Sequence, residues 1–317
     1  MIKLANQGYR VIAPNQRGYS AGARPLGVQN YTMKLLAADV VALAHFFGFQ
    51  QKFHLVGHDI GAVVGWTTAT LYPQLLKSWT ALSVPNWPAY IWALENDPVQ
   101  KEKGHYVHTF QHKYIPELIL RAFHYRVLRK LWTGFPQTTI DTYLDLFSEK
   151  GALTAVVNWY RALLQLPQIN YKQITVPTKF IWGNQDLAIA RSGVERNRQY
   201  ISGPYQFVEL DASHWFMEFN REEICKEISE HIKSIPNNWL LNIIADLVYF
   251  SHYIKQVGEH YWRTSPPNRW GWTHEEANPD RAANADHFHL QRGHWPAKFF
   301  TYNVFCHSHS SPIKLVL

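Results

Sequence analysis

Apolar residues change their spacing several times along this chain, and each change marks an element. Tyr9-Arg10-Val11-Ile12-Ala13-Pro14 and Lys52-Phe53-His54-Leu55-Val56 are short apolar runs of strand composition. Between them Leu35, Leu36, Val40, Leu43, Ala44 and Phe47 recur at helical spacing, and Gly48 ends the run. A second helical run, Ala62 to Tyr72, is closed by Pro73, and Lys77 to Val84 returns to strand composition. Strand, helix, strand, helix, strand predicts an α/β fold with a doubly wound, mostly parallel sheet.

From about Asn86 to Asn170 the pattern is helical and rich in aromatics, with no strand signal, as expected of a helical cap inserted over the sheet edge. Alternation resumes with a strand at Val176 to Trp182, a helix, and a last strand at Tyr205 to Leu210. Arg221 to Ile232 is an amphipathic closing helix. The expected organisation is therefore core at 1–85, cap at 86–170 and core again at 171–235. Residues 236–317, dense in Trp and His and with little periodicity, are expected to form an unassigned, poorly ordered extension, the alternative being that Phe299 to Phe305 or Ile313 to Leu317 is a strand that joins the sheet.

Composition narrows the function classes. The 317 residues carry a formal net charge of +7, but no dense Lys/Arg block interleaved with aromatics, so a scattered solvated face is expected and no nucleic acid. Cys225 and Cys306 lie too far apart for a disulfide framework or a metal spacing, which fits a reducing, cytoplasmic setting. The opening MIKLANQGYR is too short and polar for a signal peptide. The most apolar stretch, Trp239 to Ile254, is interrupted by Asn242 and Asp246 and reads as a buried or interfacial helix, so membrane contact is not expected. His287, His289 and His294 lack Cys or carboxylate partners at ligand spacing, so neither a metal nor another cofactor is expected.

The candidate chemistry lies between the second strand and the second helix, at Gly57-His58-Asp59-Ile60-Gly61. This is the pattern of a nucleophile elbow, in which a tight turn pushes one side chain out above the sheet and flanking glycines give clearance. Here the exposed side chain is an aspartate. A carboxylate attacking a saturated carbon forms an ester that water later cleaves, whereas a serine would form an inert ether. Asp59 therefore points to epoxides or alkyl halides. Taken singly, Asp186 in Gly183-Asn184-Gln185-Asp186 is a turn former and His214 a capping or core histidine. Together Asp59, Asp186 and His214 fall at three strand ends in the order nucleophile, acid, histidine.

At this point the chain resembles the α/β-hydrolase superfamily and, within it, the epoxide-hydrolase-like branch. The segments that carry the resemblance are Ala13 to Ser20 (APNQRGYS), the elbow, Asn158-Trp159-Tyr160-Arg161, Trp182-Gly183 through Asp186, and Ser213-His214-Trp215. The resemblance implies two cap tyrosines that donate to the epoxide oxygen, matched by Tyr160 in its N-W-Y-R context and by Tyr106 ahead of Phe110-Gln111. It implies attack by Asp59 on a ring carbon, then water activated by His214, with Asp186 orienting the imidazole and the Ile60 N–H as an oxyanion donor. Partners would be a small hydrophobic epoxide and water. Two departures stand out. The family's strand ending in His-Gly-x-Pro, which supplies a second oxyanion donor and lies between the first two strands, is missing, so the sheet is expected to lack its first strands. Residues 236–317 have no counterpart. A haloalkane-type dehalogenase shares the nucleophile but needs a halide-binding donor after it, which Ile60 does not offer. A catalytically silent relative that binds a hydrophobic molecule under the cap is the alternative from another class.

Overall fold

The strand β2, Phe53–His58, is buried along its whole length, as a central strand covered on both faces must be. The computed structural model describes residues 1–49, 52–165 and 169–236, together with strands at 303–307 and 315–316. Five strands follow the expected order: β1 (Arg10–Ile12), β2, β3 (Leu76–Leu82), β4 (Thr178–Gln185) and β5 (Tyr205–Ser213). β2 through β5 pair in parallel, each with its successor. The period of two along these strands separates two cores. Leu55, Ala81 and Phe180 face one side with the helix Ile60–Leu71 and the helical insertion, while Val56, Leu82 and Ile181 face the other with Ile224, Ile228 and Ile232 of the closing helix.

The helix Ile60–Leu71 lies so close to the sheet that its residues from Ile60 to Ala69 are all buried. Gly65 makes this approach: a Cβ there would stand 1.9 Å from the Trp79 ring. Trp66 packs edge-on against Trp79 with ring centroids 5.5 Å apart.

The region between β3 and β4 is helical, from Trp87–Asn96 through Ala152–Gln165. One of its helices, Ile115–Leu131, is broken where Phe123, His124 and Tyr125 take left-handed φ of 50°, 54° and 61°.

The sheet position between β1 and β2 is occupied. β6 (Asn303–His307) runs antiparallel to both neighbours, and β7 (Leu315–Val316) runs parallel to both. The sheet order is β1-β6-β7-β2-β3-β4-β5, seven strands of which only β6 opposes its neighbours. Backbone from residues 303–307 and 315–316 thus lies between β1 and β2, and amide and carbonyl groups of β2 gain partners there. The stretch Trp239 to Ile254 and the histidines at 287, 289 and 294 lie outside the described residues.

β1 has no sheet partner among the described residues except β6 and β7. A chain ending at residue 302 is therefore expected to leave one edge of β2 and all of β1 unpaired. Its thermal melt, followed by circular dichroism, should broaden and fall by several degrees; a melt identical to that of the full chain would show that the two strands contribute nothing to stability.

Candidate active site

Three strands end one residue before the three residues that the elbow and its partners supply: β2 at His58, β4 at Gln185 and β5 at Ser213. The parallel sheet thereby gathers Asp59, Asp186 and His214 at its carboxyl edge, where such sheets place their sites. The backbone of Asp59 has φ 55° and ψ −129°, a strained combination for a residue with a Cβ. That strain is the local price of turning the side chain out from the sheet while the helix starts at once with Ile60. The Asp59 side chain is 14 % exposed. Burial raises its pKa above the usual carboxylate value, opposed by the His214 charge and by the Ile60 N–H that donates to it.

His214 lies between the two carboxylates. Its Nδ1 is 2.9 Å from Asp186 Oδ2, and its Nε2 is 3.9 Å from Asp59 Oδ1. Burial alone would pull the imidazole down, but the charge and hydrogen bond of Asp186, with Asp59 beyond, lift its pKa to about 9. Asp186 is almost fully buried, and burial raises it; His214, the Ser83 hydroxyl and the Ala188 N–H overcome this and hold it down near 2. Its Oδ1 accepts from the N–H groups of Ala188 at 2.8 Å and Ile189 at 3.1 Å. Lys103 adds a positive charge by donating to the Asp186 carbonyl. The acid is therefore a charged, fully hydrogen-bonded anchor.

Tyr106 and Tyr160 come from separate helices of the insertion and meet edge-on, with ring centroids 5.9 Å apart and Phe110 against both. Burial first, and the Asp59 charge among the other causes, push both phenols well above their ordinary value, so both keep their protons. Tyr90, which no sequence motif singles out, is more deeply buried than either, and is raised by burial and by the charges of Asp59 and Asp186; it stacks on Trp87.

The Asn158-Trp159-Tyr160-Arg161 motif divides its labour by helical position. Arg161 is buried and forms a two-pronged pair with Glu117 at 2.8 and 2.9 Å, while also donating to Asn158 Oδ1 and the His112 carbonyl. Trp159 donates to the Arg17 carbonyl at 2.9 Å and packs on Tyr19, fastening the insertion to the loop after β1. Arg17 in turn pairs with Asp39 through Nε and Nη2, each at 2.7 Å. Asn158, Trp159 and Arg161 thus fix the helix that carries Tyr160.

Sequence reasoning missed two buried groups beside the imidazole. His58 Nε2 is 2.9 Å from the His214 carbonyl, and burial with the neighbouring His214 charge lowers its pKa to about 3, so it is a neutral prop for that loop. Ser83, at the end of β3, touches both Asp186 and His214. A hollow of about 290 Å³ beside Lys3, Glu222 and Cys225 contains none of these residues. Among the described residues no helix is long and apolar enough to cross a membrane.

Fold and site together define a hydrolase of the α/β class. The family model for the alpha/beta hydrolase fold matches residues 1–221, and the chain belongs to that family. It is 33 % identical to the AB hydrolase superfamily protein YfhM of Bacillus subtilis over 73 % of this chain and 83 % of that protein. It is 27 % identical to human Epoxide hydrolase 4 over 71 % of this chain, spanning 65 % of that relative's length. A crystal structure of an epoxide hydrolase from Bacillus megaterium with an inhibitor superposes with a TM-score of 0.59, at 21 % identity, over 66 % of this chain and 79 % of that one.

Proposed function

We propose that the protein opens an epoxide to a vicinal diol through a covalent ester on Asp59. The observation that carries this reading is a strained, partly exposed carboxylate 3.9 Å from a histidine, under an insertion whose half-buried Tyr106 and Tyr160 meet edge-on and feel its charge. Asp59 attacks a ring carbon, the C–O bond breaks, and Tyr106 and Tyr160 donate to the departing oxygen, which becomes a hydroxyl. The Ile60 N–H, at the first residue of the helix after the elbow and among the influences that lower the Asp59 pKa, is the donor to the oxyanion when that group becomes the ester carbonyl. Water then loses a proton to His214 Nε2 and attacks the ester carbon; collapse releases the diol and restores Asp59, and the imidazolium's proton replaces the one the phenol gave up in ring opening. The separation of 3.9 Å is too long for a direct hydrogen bond and leaves the imidazole beside the carbonyl carbon that water must reach. Asp186 holds the imidazolium that forms. The helical insertion, as a cap, excludes bulk water and offers an aromatic lining suited to a hydrophobic substrate.

A single turnover in ¹⁸O-water, with enzyme in excess over styrene oxide, tests the covalent route. The diol of that first turnover is expected to carry no label and Asp59 to become labelled, because the diol's new oxygen comes from the carboxylate. Label in the first diol would mean direct attack by water, and no diol from any of a panel of aryl and alkyl epoxides would favour a silent binding relative. Tyr160→Phe is expected to slow ester formation by about 100-fold, as loss of one preorganised donor does.

A further inference from the structure

We propose that Ser83 is a positioning residue for His214: its hydroxyl, wedged between Asp186 and the imidazole, holds the proton on Nδ1 and leaves Nε2 free to take a proton from water. This rests on the two-step reading of the site given above. Ser83 is fully buried and sits where β3 ends, with a left-handed φ of 72°. Its own N–H is tied to the Ile181 carbonyl at 2.8 Å, so the strained backbone is anchored to β4. The Oγ atom is 2.7 Å from Asp186 Oδ2 and 3.0 Å from His214 Nδ1, and these two atoms are 2.9 Å from one another.

Three polar atoms within mutual hydrogen-bond reach share two protons, and only one arrangement satisfies them. The carboxylate has no proton, so the serine O–H must point at Oδ2. Oγ then presents lone pairs to His214, as does Oδ2, so the Nδ1 proton is shared between two acceptors. An imidazole with its proton moved to Nε2 would face both with a lone pair, which is repulsive toward each. Asp186 alone would favour the same tautomer, but its other oxygen is committed to Ala188 and Ile189, so Oδ2 is a single point about which the ring can swing. Ser83 supplies the second point. A plane fixed by two acceptors keeps Nε2 aimed at Asp59, on the opposite side of the ring.

The step this serves is ester hydrolysis, since ring opening uses Asp59 and the phenols. The test compares wild type with Ser83→Ala and with Ser83→Gly, which accepts a positive φ without strain and so keeps the comparison alive if the alanine variant does not fold. Rapid-quench intact mass with styrene oxide gives the rates of ester formation and ester breakdown separately. Both variants are expected to form the ester within about twofold of the wild-type rate and to break it down about 10- to 100-fold more slowly, the range for loss of a group that orients a reacting ligand. In epoxide-free protein, the Nδ1–H resonance of His214 in proton NMR is expected to shift or to broaden by exchange in both variants. Unchanged breakdown in a folded variant, or formation slowed as much as breakdown, would overturn the proposal. If wild type forms no ester, the function reading fails, and Ser83 is judged by the resonance alone: an unchanged signal overturns its role, a lost one sustains it.

Discussion

His214→Ala, mixed with styrene oxide, is expected to gain the mass of one epoxide and to keep it, with the adduct on the peptide containing Asp59. Removing the imidazole leaves the nucleophile, the Ile60 donor and the two phenols in place, so ring opening proceeds. Ester cleavage loses its base and is expected to slow by about 10²- to 10⁴-fold. The imbalance makes the ester the accumulating species. The same histidine sets a pH dependence whose sign follows from its surroundings. In the resting site the charges of Asp186 and Asp59 raise its pKa from 6.5 to about 9. Once Asp59 is esterified one of those charges is gone, and the imidazole releases its proton more readily, at the moment it must act as a base. Ester breakdown in wild type should therefore rise with pH and level off below pH 9. Stability runs the other way. A histidine whose folded pKa is raised contributes fully below its unfolded value near 6.5, and that contribution is lost as pH rises through about 9. Wild-type Tm is expected to fall across that window and the alanine variant to fall less. Failure to trap an ester in a folded His214→Ala protein would remove the histidine from the second step.

Asp59→Asn is expected to abolish turnover, by at least about 10⁴-fold, with no adduct by mass, because an amide does not attack a saturated carbon at neutral pH. It is not expected to cost stability. Asparagine is among the residues that best tolerate left-handed φ, so the turn survives. Burial raises the Asp59 pKa, which means that the charged carboxylate is less comfortable in the folded protein than in water. Neutralising it should leave Tm at pH 7 equal to wild type or higher, the pattern of a residue kept for chemistry at the expense of fold. Residual turnover above about one per cent, or a marked drop in Tm, would argue that Asp59 is a structural turn residue.

The strand and helix order, the helical insertion and the three strand-end residues are legible in the sequence because each depends on local spacing. Period two and period 3.6 report which face is buried, and glycine or proline marks where the chain must turn. The elbow is legible for the same reason: Gly57 and Gly61 flank one residue whose φ of 55° is paid for locally. Boundaries shift by a few residues where a strand gains neighbours: β5 runs on to Ser213 rather than stopping at Leu210 because it pairs with β4 up to Gln185.

Ser83 and His58 carry no such local signal. A serine at a strand end and a histidine before the nucleophile are ordinary residues until β3, β4 and β5 are laid side by side, which brings Ser83 within 2.7 Å of an acid 103 residues away. Glu117 likewise reads as a solvated helix residue until Arg161 is found against it.

The sequence by itself determined the doubly wound α/β class and the sharp turn at Asp59, because backbone periodicity and turn chemistry act within a few residues; Tyr106 and Tyr160 it offered by resemblance alone. Only the tertiary structure decided how the imidazole is held and that β6 and β7, from segments the sequence offered merely as an alternative, enter the sheet between β1 and β2. Hydrogen bonds between strands and between side chains distant in the chain depend on which backbones lie adjacent, and adjacency across hundreds of residues leaves no trace in local spacing.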